Sequence, residues 1–251
     1  MAGVGFGFGR GLLVVGCLLT VLVGVSAGAL PVQRSAAAAP AEPAAPVPGV
    51  LRVMPLGASS TVGTGGLETA GYRGPLQELL ARDGVAVDMV GSQRGGPASV
   101  PDRDYEGVGG LTLEGMKPRV AGWVRRARPD VVLLHIGTND LLRGASADEA
   151  AALLEGVLSE ITEVSDAHVV VAGVWGRSGD ARTREAFERL GASAAAAFRE
   201  RGHSVRFVDA TGLLTPAQLA DGLHPNVAGY RRIAEMWERE ILHVTGLRAG
   251  S

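Results

Sequence analysis

The chain predicts an α/β fold, a three-layer α/β/α sandwich around a five-stranded parallel sheet. Three observations carry that reading. From Leu51 onward, short apolar runs alternate with longer amphipathic stretches. The runs are apolar throughout rather than at every second residue, as in strands covered on both faces. Several of them end in turns of small residues, where open α/β sheets place ligand groups.

The elements follow in order. Strands are expected at Leu51–Leu56, Val85–Val90, Val131–Ile136, His168–Val174 and Val205–Val208. Helices are expected at Tyr72–Arg82, Leu113–Ala127, Ala147–Val164, Ala181–Arg201 and Val227–His243. A strand, a helix and a second parallel strand form a right-handed crossover, and repetition of that unit puts helices on both faces of the sheet. The result is a flavodoxin-like arrangement.

Three segments ahead of or within this array carry separate messages. In residues 1–30, Arg10 precedes the apolar stretch Gly11 to Leu30, and Ala27-Gly28-Ala29 offers a signal peptidase small residues. A secretory signal peptide is the expectation. An uncleaved membrane anchor is the alternative, since the stretch approaches the roughly 20 residues a membrane helix needs. Val14-Val15-Gly16-Cys17 loosely resembles a lipobox, but Cys17 lies inside the apolar run rather than at its end. Residues 31–49 are rich in Ala and Pro and read as an extended linker. Residues 50–251 form the domain.

Composition narrows the function. A net charge of −2 without a basic run gives no footprint for nucleic acid. Lys117 is the only lysine, and with the heavy use of Ala and Gly it suggests a GC-rich bacterial genome. Cys17 is the only cysteine, so a processed chain has no disulfide, thiol nucleophile or cysteine-bound metal. An exported protein with a core of this size needs no such staples.

Asp221-Gly222-Leu223-His224-Pro225 is the most informative motif. A histidine becomes a general base when a buried carboxylate fixes its tautomer and stabilises the imidazolium. The three-residue spacing lets one turn bring Asp221 to Nδ1 of His224, leaving Nε2 for a nucleophile. Pro55-Leu56-Gly57-Ala58-Ser59-Ser60-Thr61 supplies that nucleophile as Ser59, just past the first strand. His135-Ile136-Gly137-Thr138-Asn139-Asp140 supplies Asn139, whose amide donates to an oxyanion. Serine, asparagine and Asp-x-x-His at strand ends form an acyl-transfer set. Ser60 is the competing nucleophile, with its side chain expected to point the other way.

On these blocks the chain resembles the SGNH hydrolases, the GDSL-type esterases and lipases, over about Leu51 to His243. The resemblance implies strand order 2-1-3-4-5 and adds Gly110, in Glu106-Gly107-Val108-Gly109-Gly110, as a third oxyanion donor beside the Ser59 N–H and Asn139. It implies no metal or organic cofactor. Gly71-Tyr72-Arg73 and Val90-Gly91-Ser92 are similar to the branch acting on acetylated polysaccharides, such as acetylxylan esterases. Two departures stand out. Ala58 occupies the family's usual acidic position, and Val108 and Leu111 replace a histidine and an aromatic in the second block.

The implied activity is a secreted serine esterase for short acyl groups, acetyl above all, on carbohydrate. A lipase-like preference for long chains and a non-catalytic carbohydrate-binding relative are the alternatives. The absence of Gly-x-Ser-x-Gly argues against an α/β-hydrolase layout. Other side chains have open readings. Asp140 is expected to cap the helix from Ala147 or its connecting loop. His135 is a satisfied core or near-site histidine rather than a second base, and Trp175 lines a substrate groove or caps the core. Asp102, Asp104 and Glu106 are solvated carboxylates or a calcium loop. Arg94 and Arg177 are loop arginines, solvated by default or placed to meet a polar substrate, and His168, His203 and His243 are expected to face solvent.

Overall fold

The computed structural model describes residues 47–176 and 179–247. The expected signal segment, nearly all of the linker and Arg177 lie outside the described residues.

In chain order the elements are β1 (Leu51–Gly57), α1 (Ser59–Val62), α2 (Arg73–Arg82), β2 (Val87–Met89), β3 (Gln93–Arg94), β4 (Asp104–Gly107) and α3 (Leu113–Ala127). They continue with β5 (Val131–His135), α4 (Thr138–Leu142), α5 (Ala147–Thr162), β6 (His168–Ala172), α6 (Ala181–Glu200), β7 (Val205–Val208) and α7 (Val227–Thr245). Single 3₁₀ turns lie at Leu67–Thr69 and Pro216–Gln218.

β1 pairs in parallel with β5, β5 with β6, and β6 with β7. On the other side of β1 two short strands share one position. β2 pairs with its start, Leu51 to Val53, and β4 with its end, Leu56 and Gly57. The parallel positions therefore run in the expected 2-1-3-4-5 order. The strand count is corrected: the sheet has seven strands, because the second position is split and β3 adds an antiparallel edge to β4. Asp104-Tyr105-Glu106-Gly107 has no apolar run to announce it. Its place is set by pairing and by side-chain ties, with Glu106 accepting from the Ser92 N–H and hydroxyl and Asp102 from the Met89 N–H.

The apolar runs divide residue by residue between the two faces. Met54, Leu56, Val132, Leu134, Val169 and Val171 enter one core with α3, α5 and α6. Val53, Val131, Leu133, Val170 and Ala172 enter the other with α2 and α7. This two-sided burial is why the strands read as continuous rather than alternating. At the amino edge of the sheet, buried Arg52 pairs with Asp88 at 2.6 Å and donates to the carbonyls of Ala127 and Arg128. The Asp130 carboxylate accepts from the Arg52 N–H, so this network fastens the α3–β5 turn to β1. The carboxyl edge is left for chemistry.

Candidate active site

β1 ends at Gly57 because nothing larger fits. A Cβ there would lie 2.2 Å from the His135 carbonyl oxygen and 2.6 Å from Thr61 Oγ1. The chain then turns through Ala58 into α1, with Ser59 its first residue. Ala58 offers no side-chain cap to α1 and packs into the core, as befits the loss of an acidic group.

Ser59 Oγ lies 3.0 Å from His224 Nε2, and His224 Nδ1 lies 2.8 Å from Asp221 Oδ2. A carboxylate only accepts, so Nδ1 carries the proton and Nε2 presents its lone pair to the serine hydroxyl. The 218–226 segment folds back on itself to hold this geometry. Ala220 N–H donates to the His224 carbonyl, Asn226 N–H to that of Gln218, and the Asn226 side chain caps α7. Asp221 Oδ1 accepts from the N–H groups of Leu223 and His224. The bond from His224, then these backbone donors, holds the Asp221 carboxyl well below its ordinary value. The expected burial of this carboxylate is corrected. Its side chain is 56% exposed against 19% for His224, because it sits at the tip of a surface loop and is fixed by hydrogen bonds alone.

Asn139 is presented by a turn that only glycine makes. Gly137 has φ +104°, and a Cβ on it would meet the Phe187 ring at 2.8 Å. Asn139 Nδ2 donates to the Leu111 carbonyl at 2.8 Å, which spends one of its two protons and fixes the amide plane. Gly110 lies on the same loop, exposed, with its carbonyl accepting from Arg143 at 3.0 Å. Asp140 does not cap the α5 helix or its approach; that correction follows from a closer donor. Both its oxygens accept from the Leu113 N–H at the start of α3, while Ser146 and Glu149 form a capping box for α5. Thus α4 and its C-cap residue Arg143 clasp the Gly110 loop at three points.

Ser59, Asn139 and His224 line one small cavity of about 10 Å³, together with Ala58, His135 and Trp175. Asp221 stands behind His224, and Gly110 lies on the loop that Asn139 holds rather than in the cavity wall. Ser60 is buried and lines the same cavity, but it is Ser59 Oγ that faces His224 Nε2. A larger cavity of about 470 Å³ lies alongside, between the ends of β6 and β7, and Trp175 lines both. His135 lines the small cavity as a near-site histidine, and it is not satisfied. Neither ring nitrogen has a hydrogen-bond partner among the described residues, and burial lowers its pKa to about 3.

Two supports escaped the sequence reading. Arg73, fully buried, donates to the carbonyls of Thr61 and Val62, Gly95 and Arg103, tying α1 to the β3–β4 edge. Glu188, buried on α6, accepts from the N–H groups of Val174 at 2.7 Å and Ala210 at 3.2 Å. Burial pushes it up to about 7. An Arg and a Glu at helical spacing look like solvated faces until the tertiary contacts appear. The remaining candidates are accounted for more simply. Arg94 pairs with Asp104 at 2.6 Å on the surface. His243 is exposed, whereas His168 and His203 are only partly so, His168 Nδ1 lying 2.6 Å from Ser204 Oγ. Among the described residues no cluster of His, Cys, Asp or Glu has the grouping to hold a metal ion, and the acidic side chains before Gly107 are bound to protein donors instead.

Residues 56–232 match the GDSL-like lipase/acylhydrolase family. Among solved structures the chain is similar to a family 3 carbohydrate esterase from Clostridium thermocellum. The TM-score is 0.70 and the identity 32%, over 80% of this chain and all of that one. A family 3 carbohydrate esterase from Talaromyces cellulolyticus gives 0.69 and 24%, over 79% of this chain and 100% of that one. An acetylxylan esterase from Geobacillus stearothermophilus gives 0.57 and 22%, over 80% and 96%. At these identities the last two show the fold alone. A multidomain esterase from Ruminococcus flavefaciens is 28% identical over 228 residues, which are 77% of this chain but 28% of that protein.

Proposed function

The chain belongs to the GDSL-like lipase/acylhydrolase family and is a carboxylic ester hydrolase, and from that premise we propose that it deacetylates carbohydrate through a Ser59 acyl-enzyme. The observation that carries the mechanism is the hydrogen-bonded line from Ser59 through His224 to Asp221. Ser59 Oγ attacks the ester carbonyl carbon while its proton passes to His224 Nε2, and Asp221 stabilises the imidazolium. The negative charge on the carbonyl oxygen is met by the Ser59 N–H, the Gly110 N–H and Asn139 Nδ2. A donor of this kind is worth about 3 kcal/mol in the transition state. Collapse breaks the bond to the alcohol oxygen, which leaves with the His224 proton. Water then repeats the cycle on the acyl-enzyme, releasing the acid and restoring the serine.

The cavity at Ser59 supports an acetyl group. About 10 Å³ admits one water-sized sphere, and a methyl group is little larger. The apolar residues of the second block offer little surface to a lipid chain, since Leu111 is buried in the core and only Val108 of the two is exposed. The resemblance to a family 3 carbohydrate esterase supports a carbohydrate as the alcohol. Secretion is part of the same proposal. Among the described residues no helix is long and apolar enough to cross a membrane.

The test is a paired one. Ser59→Ala should leave folded protein with esterase activity near background, and Ser60→Ala should keep most of its rate. Acetate release from acetylated xylan, with activity on acyl esters falling from acetyl to octanoyl, completes the expectation. Activity rising through octanoyl with no acetate from xylan would favour a lipase.

A further inference from the structure

We propose that the Trp175 indole, held flat against His135, is the partition that limits the acyl group to acetyl. The proposal rests on the acetyl-esterase reading above. His135 is the last residue of β5, and Trp175 lies three residues beyond the end of β6. Neighbouring strands thus deliver two rings to one place, stacked with centroids 3.5 Å apart and planes within 2°. Both are buried, at 2% and 3% exposure, and both line the cavity at Ser59.

A polymeric alcohol cannot enter a space of about 10 Å³, so it occupies the open side of Ser59. The enclosed side takes the acyl chain. Beyond Trp175 lies the cavity of about 470 Å³, with Val174, Ala210, Leu214 and Leu219 among its walls. That volume falls in the range of sites that hold whole small molecules. The indole therefore stands between room for a methyl group and room for a chain of many methylenes. His135 is a positioning residue in this arrangement. Its ring nitrogens bond to nothing among the described residues, so the ring serves as a flat plate against the indole. Burial keeps it uncharged, as a wall against an acyl chain must be.

The test measures kcat/KM on p-nitrophenyl esters from acetate to octanoate for the full chain and its variants, with circular dichroism to establish folding. The readout is the octanoate-to-acetate ratio, since absolute rates move for other reasons. Each methylene newly buried corresponds to about a fourfold gain, so Trp175→Ala should raise the ratio by about a hundredfold or more. Trp175→Leu, which removes less volume and keeps an apolar wall, should raise it less. His135→Ala should drift the same way, and His135→Phe, which restores a flat ring, should return the wild-type profile. A folded Trp175→Ala or Trp175→Leu with the wild-type profile would overturn the partition while leaving the acetyl reading intact; if neither folds, an unchanged ratio in His135→Ala does so. A wild-type profile that already rises to octanoate would overturn the acetyl reading and the partition with it.

Discussion

Asp221 sits in solvent, and this sets the size of its contribution. A buried triad carboxylate cannot be replaced by water, and its loss costs about 10⁴-fold in a protease. Here water reaches the carboxylate and can solvate the imidazolium in its place. Asp221→Asn should therefore lower kcat by roughly 10²-fold, less than in a buried triad. A loss as large as that of Ser59→Ala would show that Asp221 is shielded in the working enzyme. Asn139 combines two tasks, since the amide that faces the reaction also holds Leu111. Asn139→Ala should lower kcat by about 10²–10³ with KM little changed, because the bond to the oxyanion strengthens in the transition state. A matching rise in KM would mean that the loop tie, rather than the oxyanion, is what Asn139 supplies.

At the scale of elements, the site depends on strand ends being held by groups from elsewhere. Glu188 reaches from α6 to the ends of β6 and β7, and with Arg73 it fixes the segments that carry Trp175 and Ser59. Its pKa rises from 4.5 to about 7 on folding, because burial disfavours the charge. The folded state therefore keeps a proton that the unfolded chain releases between those values. Stability from this group is full below about pH 4.5, falls as pH rises to 7, and then levels. A displacement of that size corresponds to roughly 3 kcal/mol. Asp221 acts in the opposite sense, since its lowered pKa gives stability at neutral pH that is lost in acid. Glu188→Gln cannot ionise, so its melting temperature should decline less than wild type between pH 5 and 7. Parallel declines in a thermal melt would assign the effect to another group.

For the molecule as a whole, two apolar cores flank the sheet and draw on residues from Leu51 onward. A chain beginning at Val47 should fold and turn over like the full-length protein, because the core residues of both clusters lie at Leu51 or beyond. Aggregation of that chain, or loss of its activity, would show that the preceding residues pack on the domain.

Much of the fold was legible. Leu113–Ala127 and Val205–Val208 fall where periodicity puts them, since a helix or strand of this kind is specified by its own apolar pattern. The short helices α1 and α4 were not legible. Each is one turn that exists because Gly57 or Gly137 redirects the chain against a neighbour. Strands β3 and β4 were missed for a related reason: polar residues at an edge take their conformation from pairing.

The sequence by itself determined the layered sheet, the carboxyl-edge placement of Ser59, Asn139, Asp221 and His224, and the Asp-x-x-His turn. Each of these depends on spacing along the chain and on burial of apolar runs. Tertiary structure alone decided that Asp221 faces water, that Asp140 serves α3, that Glu188 bridges two strand ends, and that His135 and Trp175 stack beside the nucleophile. Those outcomes join residues 14 to 40 positions apart, and no local pattern encodes which distant donor or ring a buried side chain will meet.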